Sequence, residues 1–226
     1  MASLPLYIPL LFGLTVLLTI GWFYAASGSK PVLALIIVWT SLQSILAWKG
    51  VFQDTEALPP KLMLFGIFPA LLMILIAFLT QGGRAFIDRI NLKTLTYFHT
   101  IRLPVEVVLA LLFHQGVMSR YITFEGTNFD IFSGLTASLV AYLAFRAVPV
   151  KTGLLLAWNI LCLLLLLNVV ITAIFAIPSP FQKLSLEQPN VAVLYFPFSL
   201  LPTVVVPLVF FAHLVALRRL MVKGKR

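Results

Sequence analysis

Long apolar runs alternate with short polar segments along almost the whole chain of 226 residues. A helix that crosses the hydrocarbon core of a bilayer, about 30 Å thick, needs about 20 mostly apolar residues. Seven runs come close to or exceed this length, and Pro- and Gly-containing breakers separate most of them. The pattern predicts an all-α membrane protein whose single domain has seven transmembrane helices. The predicted spans are residues 6–26, 31–48, 62–80, 94–115, 129–148, 152–177 and 191–217.

The positions of Lys and Arg predict the direction of these spans. With the amino terminus outside, the cytoplasmic segments carry eleven of the sixteen basic residues and the outer segments carry four. Short cytoplasmic loops are normally the ones enriched in Lys and Arg. Five of the eleven lie in the last nine positions, where they are expected to face anionic lipid headgroups. These are Arg218, Arg219, Lys223, Lys225 and Arg226.

Composition agrees with a lipid environment. Hydrophobic residues make up 61% of the chain and charged residues 10%, and the mean hydropathy is +1.06. A soluble domain carries about 25% charged residues. The net charge of +9 therefore indicates membrane topology, and no nucleic-acid partner is expected. The single cysteine, Cys162, lies among leucines and is expected to serve packing.

A polar stripe marks the fourth predicted span. Arg102 and Glu106 lie well inside it, and each would be costly in lipid. Their spacing of four residues puts them on one helical face, where each can neutralise the other. His99 and His114 extend the same face. One interpretation is a cavity or relay in which Glu106 titrates against Arg102, and the other is a structural ion pair between helices.

Polar residues also concentrate in two outer segments, which are predicted to form a mouth above this stripe. Their spacing lacks the glycine and the length of a calcium loop, so no metal site is predicted. The simpler interpretation is that Asn128 or Asp130 caps the fifth helix and that the acids are solvated. The residues of the predicted mouth are Arg120, Glu125, Asn128, Asp130, Gln188 and Asn190.

Two further features bear on mechanism. Pro197, Pro202 and Pro207, spaced by five, predict an irregular seventh span that is either bent or able to hinge. His99 and His213 lie at similar predicted depth near the cytoplasmic side, which is the minimum requirement for bis-histidine haem ligation in a bundle. Haem is the alternative to the main expectation of no cofactor.

Several motifs resemble those of an uncharacterised family of bacterial seven-span membrane proteins. The resemblance covers most of the chain and implies a bacterial inner membrane, but no activity and no catalytic residues. The motifs are Thr123-Phe-Glu-Gly-Thr-Asn-Phe-Asp130, His99-Thr-Ile-Arg-Leu-Pro-Val-Glu106, Gln188-Pro-Asn190 and Phe196-Pro-Phe-Ser-Leu-Leu-Pro202.

Three hypotheses for function follow. The first is a protein that transports or binds a small solute or ion through a cavity lined by the fourth span. The second is a sensor or assembly subunit whose outer loops bind a protein partner or a second copy. The third is an intramembrane enzyme or haem protein. The sequence has no nucleophile elbow, zinc-protease motif or phosphate-binding loop, so an enzyme is the less favoured class.

Overall fold

The structure is a computed structural model that describes residues 4–223, with the backbone alone for Lys223. Throughout this range the regular structure is helical. Lys225 and Arg226 of the predicted basic tail lie outside the described residues. The α-helices are α1 (Tyr7–Ser27), α2 (Lys30–Trp48), α3 (Phe68–Leu79), α4 (Gln81–Arg89), α5 (Leu92–Phe98), α6 (Arg102–His114), α7 (Ile131–Arg146), α8 (Thr152–Ala176) and α9 (Val206–Lys223).

The prediction of long apolar helices is confirmed. Five helical segments of the described chain are long and apolar enough to cross a membrane: α1, α2, α8, the continuous segment Leu92–His114, and Leu201–Val222. The segment Met63–Leu79 passes the same test only together with α4, to which it is bent by 89°. The sixteen-residue α7 is apolar but shorter than a full span.

A new helix, α4, begins at the break that was predicted after the third span, residues 62–80. The Thr80 side chain accepts a hydrogen bond from the Gly83 backbone N–H, which caps α4 at its amino end. The short helix buries Ile87 against the bundle and leaves Arg84 and Arg89 exposed. α4 is therefore an amphipathic helix that lies almost at right angles to the apolar segment before it.

The continuous helix in the seventh predicted span, 191–217, begins and ends later along the chain than that span. Ala192–Leu194 forms a short 3₁₀ helix, and the chain then turns before a continuous helix begins at Leu201 and runs to Lys223. Pro197 therefore lies in the turn outside this helix. Pro202 lies in the first turn of the helix, where a missing backbone N–H costs little.

Two π-helical turns interrupt the regular α-helical structure. Met63–Ile67 leads into α3 and Leu201–Val205 leads into α9, and each is followed within two residues by a proline, Pro69 or Pro207. A proline inside a helix cannot donate its backbone hydrogen bond, and a local π-helical adjustment absorbs the missing bond. The second turn is irregular, as the prolines of this segment predict.

The two π-helical turns pack against each other. A Cβ atom on Gly66 of the first turn would collide with the side chain of Thr203 in the second. Side chains of α2 bond the carbonyls at this contact: Trp39 Nε1 donates to Thr203 O at 2.8 Å, and Gln43 Nε2 donates to Phe65 O at 3.0 Å. Glycine is therefore required at the point where the two turns touch.

Hydrogen bonds join loops to one another at each of the two ends of the bundle. At one end, Asn91 N–H donates to Ala26 O, and Arg219 donates to Ile90 O. At the other end, Ala192 N–H donates to Val117 O at 3.0 Å. Between these ends α8 packs along α9, and α1 packs against α5 and α6. Loops predicted to share a side of the membrane thus lie together.

Candidate functional site

Arg102 is the centre of a buried polar cluster that joins four helices. Its side chain at the start of α6 is only 3% exposed. The guanidinium Nη1 donates to Asp130 Oδ1 at 2.8 Å, just before α7, and reaches Cys162 O on α8 at 3.5 Å. Nη2 lies 3.0 Å from His213 Nε2 on α9. One side chain thereby fixes the relative positions of α6, α7, α8 and α9.

The predicted neutralisation of Arg102 by Glu106 is wrong. The ion pair is made with Asp130, which the sequence analysis had placed at a solvated helix cap. Asp130 is 5% exposed, and its Oδ1 also accepts from Ser133 Oγ at 3.4 Å. A buried guanidinium needs a counter-charge, and Asp130, the residue before α7, supplies a carboxylate.

The bonds of His213 fix its tautomer. Arginine can only donate, so His213 Nε2 must accept from Arg102. The proton of the ring is then on Nδ1, which donates to Asn159 Oδ1 at 2.9 Å. The Asn159 amide in turn donates to Leu155 O at 2.8 Å. His213 is therefore neutral, and it links the charged pair to α8.

Glu106 lies one turn beyond Arg102 and belongs to a second set of bonds. Its Oε1 accepts from Asn128 Nδ2 at 2.6 Å, and the same amide group donates to Ile122 O at 2.9 Å. Asn128 Oδ1 accepts from the Asp130 backbone N–H at 2.8 Å. Glu106 Oε2 is buried and finds no hydrogen-bond partner among residues 4–223. A buried carboxyl oxygen without a partner is rare, and it marks a candidate binding group.

Glu106 and Asp130 lie in the wall of a cavity of about 310 Å³. The rest of the wall is almost wholly apolar and comes mainly from α3, α6, α8, the two π-helical turns and the start of α9, with Ile122 and Val193 from the loops. Pro202 and Pro207, two of the three predicted hinge residues, line it as well. The volume falls at the lower end of the range of about 300–1,000 Å³ that small-molecule sites occupy.

The buried histidines do not fit a haem. The rings of His99 and His213 stack on each other with centroids 4.0 Å apart, and Nε2 of His213 is bonded to Arg102. A bis-histidine haem needs its iron and porphyrin plane between the two rings. His99 Nδ1 is itself buried without a hydrogen-bond partner in the described chain. The pair belongs to the Arg102 cluster.

His114 lies apart from the buried stripe. Its side chain is 58% exposed, and Nε2 pairs with Glu125 Oε1 at 2.7 Å. Arg120, also exposed, donates from Nε to the backbone oxygen of Glu125 at 3.1 Å. The predicted stripe therefore consists of His99, Arg102 and Glu106, and its outer extension is a solvent-facing ion pair.

Hydrogen bonds join the two segments that were predicted to form the mouth. Gln188 Nε2 donates to Phe113 O and Met118 O at 2.9 and 2.8 Å. Asn190 Oδ1 accepts from Ser119 N–H at 2.9 Å, and its amide donates to Ala173 O at 3.3 Å. Gln188 and Asn190, two residues of the predicted mouth, therefore hold one loop against the other. Asn128 and Asp130, also predicted for the mouth, are buried and bond to Glu106 and Arg102.

Residues 59–221 match a family described as a domain of unknown function, DUF8737. This match covers more than half of the chain. The chain belongs to this family. No curated protein matches the chain. No solved structure matches it either.

The DUF8737 region contains the whole candidate site. It begins before the first π-helical turn and ends near the end of α9, so it includes Arg102, Glu106, Asn128, Asp130 and His213. The resemblance to an uncharacterised family is thereby confirmed. The helices α1 and α2 precede the matched region, although α2 supplies the bonds that hold the π-helical turns.

Sequence reasoning missed the parts of the site that depend on contacts between helices. Asn159 and Ser133 gave no signal beyond being polar residues in apolar helices. Asp130 lies at the N-cap position of α7, one of the two predicted caps, but its side chain is buried and bonds to Arg102 instead of capping the helix. The useful signal was the cost of an intramembrane arginine, which requires a carboxylate somewhere nearby.

Proposed function

We propose that the protein is a seven-span membrane protein that binds a small solute in the cavity beside Glu106, as a transporter or a transporter-like binding protein. The observation that carries this proposal is Glu106, a residue of the wall of the 310 Å³ cavity whose buried Oε2 has no hydrogen-bond partner in residues 4–223. Pre-formed apolar cavities with few polar groups are the usual form of small-molecule sites.

The proposed topology has the amino terminus outside, the carboxyl terminus in the cytoplasm and a bacterial inner membrane as its location. Its support is the excess of Lys and Arg on one side, eleven against four. The grouping of the loops agrees, because Ala26 and Asn91 meet at one end and Val117 and Ala192 at the other. This arrangement counts the bent segment Met63–Arg89 and the short α7 as one crossing each.

The cavity also suggests how a solute enters. The two π-helical turns and Pro202 lie in its wall, so a change in their packing alters its shape. Short irregular helices near the middle of a membrane protein commonly flank substrate sites. The alternative of a sensor or assembly subunit depends on the outer loops, where Gln188 and Asn190 bond within the chain.

A thermal-shift screen of small solutes against the purified chain tests the proposal. A bound solute at a hundred times its Kd stabilises the folded state by about 2.7 kcal/mol. The test variant is Ala173→Phe, which places a ring in the cavity, and the matched control is Ala157→Phe at an exposed position of the same helix. Solutes that stabilise the wild type and Ala157→Phe, but not Ala173→Phe, support the proposal. A screen in which no solute separates the two variants contradicts it.

A further inference from the structure

The charges around the cavity are unequal in number. Arg102 is paired with Asp130, and its second nitrogen is taken by the neutral His213. Glu106 has only the amide of Asn128 as a hydrogen-bond partner. When it is ionised, the site holds two carboxylates and one guanidinium. A cation bound beside Glu106 would supply the second positive charge that this ionised state lacks.

The wall of the cavity restricts the shape of that positive group. Apart from the two carboxyl groups, the lining consists of aliphatic side chains, prolines and the rings of Phe68 and Phe210. A hydrated metal ion would find a single free carboxyl oxygen, whereas hard cations require six or more oxygen ligands. A ligand with one N–H donor and a hydrocarbon body satisfies both the oxygen and the apolar wall.

From these observations we infer that the cavity takes a lipophilic ammonium ion, a small apolar molecule with one protonated amine that bonds to the Glu106 carboxylate. This inference rests on the proposed function and names its substrate class. The hydrocarbon body fills the space between α8 and the π-helical turns. Asn128 donates to Oε1 of the same carboxyl group, which leaves Oε2 as the oxygen without a partner in residues 4–223.

Two probes of equal shape test the inference: 4-tert-butylbenzylamine, which is a cation at neutral pH, and 4-tert-butylbenzyl alcohol, which is neutral but still donates and accepts a hydrogen bond. Binding of each to the purified full chain is measured by calorimetry in the same detergent. A hydrogen bond to a charged group contributes more than one to a neutral group, so the wild type should bind the amine at least about tenfold more tightly. The variant Glu106→Gln should bind both probes with comparable Kd.

The controls separate folding from binding. In Glu106→Gln the new side-chain amide oxygen can still accept from Asn128, and Arg102 keeps Asp130, so this variant is expected to fold. Glu125→Gln removes a carboxylate from the exposed loop and should retain the wild-type preference for the amine. If Glu106→Gln fails to fold, the inference is still tested by comparing the Kd of the amine with the Kd of the alcohol, in the wild type and in Ala173→Phe.

Each outcome has a definite meaning. Preference for the amine that Ala173→Phe abolishes and Glu125→Gln retains supports the inference. Equal binding of amine and alcohol, lost in Ala173→Phe, overturns the ammonium class and leaves the solute cavity intact. If neither probe binds the wild type and no solute distinguishes Ala173→Phe from Ala157→Phe, both the inference and the proposed function fail.

Discussion

Removing the carboxylate of Asp130 should destabilise the protein more than removing that of Glu106. In Asp130→Asn, the guanidinium of Arg102 stays buried at 3% exposure without its 2.8 Å counter-ion. Breaking a buried ion pair by removing one partner costs about 3–5 kcal/mol. The lower end applies here, because Glu106 also attracts the guanidinium. For a chain of this size about 3 kcal/mol corresponds to a fall in Tm of roughly 6–12 °C.

The assay is thermal unfolding of purified variants in one detergent, followed by tryptophan fluorescence. Arg102→Met should show a similar loss, because it strands Asp130 instead. The double variant Arg102→Met/Asp130→Asn should recover much of the loss, since neither charge is then left unpaired. Glu125→Gln is the matched control, and its half-exposed pair with His114 is expected to contribute no more than about 1 kcal/mol.

Two results would refute this reasoning. The first is an Asp130→Asn variant that unfolds at the temperature of Glu125→Gln, which would mean that Arg102 is not buried against this carboxylate. The second is Glu106→Gln as the less stable variant, which would restore the pairing of Arg102 with Glu106 that their spacing in the sequence suggests. A double variant no more stable than the singles would show that the two side chains do not interact.

Two other predictions concern regions outside the site. Gly66→Ala should lower Tm measurably, with a cost of about 1–3 kcal/mol from the collision with Thr203, whereas Gly82→Ala, with open space around it, should leave Tm almost unchanged. The exposed Asp54 has a pKa below its ordinary value because Lys61 donates a hydrogen bond to it at 2.7 Å. Any stability from this pair is present above the ordinary pKa of an aspartate and is lost as pH falls through the lowered one. Lys61→Met should therefore raise the pKa of Asp54, as an NMR titration would show, and an unchanged pKa would contradict the pairing.

Hydrophobic patterning predicted the helices well because lipid requires long, uninterrupted apolar segments. Hydrophobic patterning did not predict where a helix begins when a local hydrogen bond or turn sets that position. Thr80 caps α4 through one side-chain oxygen, which turns an apparent loop into a helix. In the seventh span, the turn at Pro197 begins the helix ten residues later than predicted. Neither event alters the average hydropathy on which the prediction depended.

The sequence indicated the charged residues Arg102 and Glu106 of the candidate site, but it did not indicate which side chains they bond. Arg102 and Glu106 stood out because charge is costly in lipid, and both are central to the site. Their mutual neutralisation was inferred from spacing on one helix. The structure instead directs Arg102 to Asp130 and Glu106 to Asn128, both from the segment before α7. Such choices between facing elements depend on tertiary packing, which the period of a single helix does not encode.

The arrangement around Arg102 also sets an order for biosynthesis. Arg102 is synthesised 28 residues before Asp130 and 111 residues before His213. Under the proposed topology, the nascent α6 carries a charge that lipid disfavours until those residues emerge from the ribosome, so it should remain near the insertion machinery. Release into the bilayer should become favourable once the segment before α7 arrives, and α9 should complete the cluster last.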